Sequence, residues 1–88
     1  MQKIYKYDIP VTDDFTIDLP TPNRILDVQV QNGSPVMWVL HNTADLIVPN
    51  KFCIIGTGNP IDRNMDNFKH VGSFQNDPFV WHVFKYKG

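Results

Sequence analysis

Glutamate does not occur in this 88-residue chain, and Ala44 is its only alanine. Two of the strongest helix formers are thus nearly missing, which excludes a mainly helical fold. Cysteine occurs once, at Cys53, so no intrachain disulfide can form and no metal set can be built from thiolates. A lone thiol fits a reducing cytosol. Excess charge is also lacking: eight Lys and Arg stand against nine acidic residues, all Asp, for a formal charge of -1. That balance disfavours binding to DNA or RNA polymer or to an anionic membrane, all of which need clustered cations. No apolar run approaches the roughly 20 residues of a membrane span, and the opening "MQKIYKYDIP" has no apolar signal core. These absences point to a soluble, intracellular protein. With 88 residues the chain has material for a single domain, 1–88, and one small core, so self-association would add apolar burial that the lone protomer lacks.

What is present favours strands. Val, Ile and Thr make up a quarter of the chain, and branched side chains suit a pleated surface. Period-two alternation marks "KIYKYDI" (3–9), "FTIDL" (15–19), "RILDVQVQ" (24–31), "VMWVLH" (36–41), "KFCIIGTG" (51–58), "FKHVGSFQ" (68–75) and "FVWHVFKYK" (79–87). Asn32-Gly33 predicts a hairpin tip because both residues tolerate positive φ, and "NDP" predicts a second hairpin. "NTADLIVPN" reads as a loop, and 59–67 as a polar connection. The expectation is an all-β fold: a small antiparallel β-sandwich or open barrel of about seven strands, with Leu26, Val28, Val30, Trp38, Leu40, Ile54 and Phe84 among its buried side chains.

The candidate chemistry centres on "CIIGTGNPI". It lacks the Lys-Ser/Thr tail of a P-loop and the third glycine of a dinucleotide fingerprint. Two readings stay open. One is a strand-ending turn; the other is a cradle in which Gly56 and Gly58 admit a ligand to the backbone while Thr57 and Asn59 add hydrogen bonds. Arg63 lies close by in sequence and would neutralise a phosphate, with Lys51 and Arg24 as further cations. Trp38 and Trp81 are the rings best suited to stack on a base. His41, His70 and His82 show no local metal-ligand spacing, so no metal is expected. No motif activates a serine or Cys53, so no catalytic residue and no cofactor are expected, and an enzyme is the least favoured class. Both faces of "FVWHVFKY" are apolar, which favours a homo-oligomer with this strand at the contact.

The order and spacing of "IYKYDIPV", "DDFTIDLP", "ILDVQVQNGSPVMWVL", "GTGNPI", "VGSFQ" and "FVWHVFKY" carry a family resemblance. The chain resembles, almost end to end, a group of small phage-encoded β proteins. That group is in turn similar to the sponge proteins that sequester the cyclic-nucleotide signals of CBASS defence. The resemblance implies a compact β-rich oligomer in the host cell cytoplasm that binds a cyclic or otherwise phosphorylated nucleotide without turnover. It also implies that "GTGNPI" lies near a phosphate or base, with aromatic rings stacking on purines. Two alternatives belong to other classes: an inhibitor or adaptor of a host protein, and a small virion component.

Overall fold

The computed structural model describes residues Met1–Gly88. Five strands follow one another: β1 (Gln2–Asp8), β2 (Asp14–Gln31), β3 (Ser34–Gly56), β4 (Phe68–Asn76) and β5 (Phe79–Tyr86), with a single 3₁₀ turn at Met65–Asn67. All pairings are antiparallel and belong to one sheet. The all-β class read from the sequence holds. No helix is long and apolar enough to cross a membrane.

The strand count is five where seven were expected, because two long strands each absorb two of the alternating segments. β2 contains both 15–19 and 24–31. β3 contains 36–41, most of 51–58 and nearly all of the stretch between them, which was expected to be a loop. Pairing explains this: Leu46 to Asn50 find their partners in Thr21 to Ile17, and a neighbouring strand satisfies backbone groups whatever the local composition. β3 is therefore the spine. Its first part lies between β1 and the second part of β2, and its second part lies between the first part of β2 and β5, with β4 outside β5.

Irregularities bend this sheet. β2 shifts register between Thr21 and Asn23, where the partner changes from Leu46 to His41, and again between Ile25 and Asp27. Such bulges kink a strand and sharpen its twist. The two parts of the sheet curl toward each other over one core that includes Phe15, Leu19, Val28, Met37, Val39, Phe52, Ile54, Phe74 and Val83. Where they meet, Val28 of β2 stands directly against Gly72 of β4, although those strands share no ladder.

The second β2 shift corrects the expected core. It puts Ile25 against the core before the bulge and Val28 (5% exposed) in it afterwards, while Leu26 and Val30 are 41% and 43% exposed. In β3 the inward set is Met37, Val39 and His41, so Trp38 and Leu40 are only half-buried. In β5 Val83 takes the interior and Phe84 is half-buried; Ile54 is buried as expected. Both hairpins form where expected. Asn32 and Gly33 have φ of 52° and 79°, the signature of a type I′ tip, and Asn76 pairs with Phe79 across the second turn.

Candidate functional site

The glycine loop has turn geometry. Gly56 ends β3 opposite Trp81, and Asn59 N–H donates to the Gly56 carbonyl at 3.1 Å, with Gly58 at φ +84° as a type II turn requires. Thr57 N–H donates to the Val80 carbonyl at 3.0 Å. Two of the loop's backbone donors are therefore committed within the protein. Gly56 is needed for close packing, since a Cβ there would lie 2.7 Å from the Asn59 amide nitrogen and 2.9 Å from the Trp81 ring. The structure thus joins Gly56, Thr57, Gly58, Asn59 and Trp81. Trp38 is not among them: it lies in the first part of β3 and donates its indole N–H to Gln29 Oε1 at 3.0 Å.

Arg63 does share a cavity with Asn59, of about 350 Å³, but Asp13, Asp14 and Asp62 line it too. The guanidinium grips Asp14 through both nitrogens, at 2.7 and 2.9 Å. This fork holds the Asp14 carboxyl below its usual range and raises the Arg63 pKa in return. With three carboxylates to one cation, the cavity has net negative charge and repels phosphate. Cys53 lines it as well, and burial pushes its thiol up, away from the reactive thiolate.

Cations gather elsewhere. Lys51, Lys69, Lys85 and Lys87, half of the chain's eight Lys and Arg, line one cavity of about 470 Å³, with Tyr86, Asn50 and Thr21 and no aspartate. The ladder places them. Lys69 pairs directly with Lys85 across β4 and β5, Lys87 follows two residues on, and Lys85 also pairs with Phe52, next to Lys51 in β3. None has a carboxylate partner, since the only ion pair is Arg63 with Asp14. Lys85 is the fixed member. Its ammonium donates to Asn23 Oδ1 at 2.6 Å, while the Asn23 amide donates to Asn50 Oδ1 at 3.2 Å and the Asn50 amide to Thr21 Oγ1 at 3.1 Å. Partial burial, and then repulsion from Lys69, lower the Lys85 pKa.

One aromatic ring, that of Tyr86, lines this cavity. The Lys51 ammonium lies 5.7 Å from the centre of the Tyr86 ring, and Tyr86 contacts Phe68 at 5.5 Å between centroids. Arg63 in turn lies 5.6 Å from the Phe68 ring. A shallow groove lined by Lys51, Tyr86, Phe68 and Arg63, and also by Asp14 and Asp62, adjoins the basic cavity at Lys51 and Tyr86. The sequence reading named Arg63 and weighed Lys51 but missed Lys69, Lys85 and Lys87. The signal was the opposition of Lys69 to Lys85 in the last hairpin, hidden by the register shift between His70 and Gly72.

The histidines divide. His41 is buried in the first part of β3, where its Nε2 and the Tyr7 hydroxyl are 2.9 Å apart and its Nδ1 has no partner. His70 and His82 lie together on the β4–β5 hairpin, and no group of three metal-ligating side chains occurs.

These features define a small all-β domain with an open, lysine-lined cavity beside Tyr86. The chain belongs to the family described as Domain of unknown function (DUF7352), which it matches over residues 1–88. It matches no curated protein and no solved structure.

Proposed function

We propose that this protein is a phage counter-defence sponge that binds a cyclic or otherwise phosphorylated nucleotide signal in the host cytoplasm and sequesters it without turnover. The observation that carries the reading is the convergence of four lysines, none of them ion-paired, on one cavity that no aspartate lines. Like charges held together in the free protein are unfavourable, and an anionic ligand relieves them. Phosphate oxygens would meet Lys85 together with Lys51, Lys69 and Lys87, and a base would lie against Tyr86 or, in the adjoining groove, Phe68. Arg63 would join only a ligand long enough to follow the groove, by exchanging one of its bonds to Asp14. A homo-oligomer is part of the proposal, since Phe79 and Val80 are exposed at the start of β5 and a second copy would cover them.

The test is a thermal-shift and calorimetry panel of cyclic mono-, di- and trinucleotides with linear nucleotides alongside. A bound ligand should raise the melting temperature and be recovered unchanged. Lys85→Met and Lys51→Met should each weaken it roughly ten- to hundredfold, the loss of one charge-assisted hydrogen bond. A panel with no response, or unchanged affinity in both variants, refutes the reading.

A further inference from the structure

The β4–β5 hairpin carries a second polar array, separate from the lysine cavity. Ser73 and His82 are direct cross-strand partners, so their side chains stand on one face. His70 reaches the same face because the register shift before Gly72 sets it opposite Phe84, two residues from His82. Both imidazoles converge on one oxygen: His70 Nε2 is 3.0 Å and His82 Nδ1 is 2.8 Å from Ser73 Oγ. The remaining His82 nitrogen, Nε2, is 2.7 Å from Thr57 Oγ1 in the glycine turn. Phe84 meets the His70 ring edge-on at 5.3 Å and limits its rotation.

We propose that His70 and His82 chelate one divalent transition-metal ion, Zn²⁺, Ni²⁺ or Cu²⁺, through His70 Nε2 and His82 Nδ1. Neutral imidazole suits these ions, whereas Mg²⁺ and Ca²⁺ require oxygen ligands. Metal–nitrogen bonds are about 2.0–2.1 Å long, so an ion near the present Ser73 oxygen needs each ring to close by about an ångström or less. The Ser73 hydroxyl then turns aside or becomes a ligand, and water fills the other positions. Thr57 has a defined part. When His82 Nε2–H donates to Thr57 Oγ1, the lone pair of Nδ1 is left facing the ion, and such outer hydrogen bonds commonly orient metal-binding histidines. The glycine turn thus positions a hydroxyl that fixes an imidazole, a use of "GTG" distinct from contact with a nucleotide.

Titration of untagged protein with NiCl₂, ZnCl₂ and CuCl₂ by calorimetry tests this, with MgCl₂ as control. One equivalent should bind, Cu²⁺ most tightly, and Mg²⁺ should give no binding heat. His70→Ala and His82→Ala should each lose at least tenfold in affinity, and in proton NMR of the wild type the ring signals of His70 and His82 should respond while those of His41 do not. Thr57→Ala should weaken binding roughly tenfold and Thr57→Ser should restore it. Circular dichroism on every variant separates loss of ligand from loss of fold. Wild-type affinity in a folded His82→Ala protein, or equal binding of Mg²⁺, overturns the site; wild-type affinity in Thr57→Ala overturns the role given to the turn.

Discussion

Gly72→Ala tests the closure of the fold at its tightest point. A Cβ at residue 72 would lie 2.7 Å from both Cβ and Cγ2 of Val28 and 3.3 Å from the Val28 nitrogen. Carbon atoms in comfortable contact are about 3.5–4.0 Å apart, so the overlap is near an ångström. Val28 cannot turn away, because its Cβ is fixed to the backbone and its branched side chain has little χ1 freedom. β2 and β4 must separate instead. Overpacking of this kind costs about 1–3 kcal/mol, and the upper half of that range applies where a backbone-fixed atom is struck. The lost freedom of glycine in the unfolded chain offsets about 0.4–1 kcal/mol. The net expectation is a destabilisation of about 1–2.6 kcal/mol, or a melting temperature lower by roughly 4–20 °C for a domain of this size.

Urea unfolding of a mutant cycle isolates the contact. Val28→Ala removes Cγ2 but keeps Cβ, so Gly72→Ala should still be harmful in that background, only less so. Val28→Gly removes both atoms, and there Gly72→Ala should be neutral or mildly stabilising, a coupling of about 2 kcal/mol within the range known for touching residues. A Gly72→Ala protein as stable as wild type, or equally destabilised beside Val28→Gly, would refute the proposed contact between the two parts of the sheet.

Three further expectations follow from the charges and the thiol. Lys69→Gln removes a like-charge pair directly opposed across a ladder; ligand-free protein should gain about 0.5 kcal/mol, read as a melting temperature higher by about 2–4 °C. Because the folded Lys85 pKa lies below the ordinary 10.5, the unfolded chain binds more protons between the two values, so wild-type stability should rise with pH there and Lys85→Met should flatten that rise in pH-dependent urea titrations. Cys53, buried with its thiol pushed up, should react with a disulfide reagent in native buffer far more slowly than in denaturant, and equal rates would refute its burial.

Alternation and turn chemistry made the class, both hairpins and most strand positions legible, because they are local. Asn32-Gly33 needs no distant partner to declare a type I′ tip. What stayed hidden depends on pairing. "NTADLIVPN" carries polar residues and a proline, yet most of it is strand because β2 lies alongside. Leu26 and Val30 alternate perfectly with Val28 in the sequence, but a shift at Ile25–Asp27 takes Leu26 out of register with Val28, and Val30 is exposed near the hairpin tip, opposite Pro35. The site divides in the same way. Thr57 and Asn59 come together because they share one turn, whereas Trp81 joins them only through the pairing of β5 with β3, and Lys69 meets Lys85 only through the final hairpin's irregular register.

Under the proposed function, the lysine cavity also sets stability against binding. The Asn23, Asn50 and Thr21 network holds Lys85 at the polar end of an otherwise apolar interior, where its charge is partly desolvated and faces Lys69. A residue kept for folding alone would be better apolar here, beside Phe52, or paired with an aspartate, of which the chain has nine. Neither occurs. An ammonium already desolvated and oriented loses less freedom and less hydration when a phosphate arrives, so its cost to the free protein becomes affinity in the complex. Substitutions that relieve the repulsion should therefore stabilise the free protein and weaken the complex together, an opposition expected of a binding site and not of a passive surface.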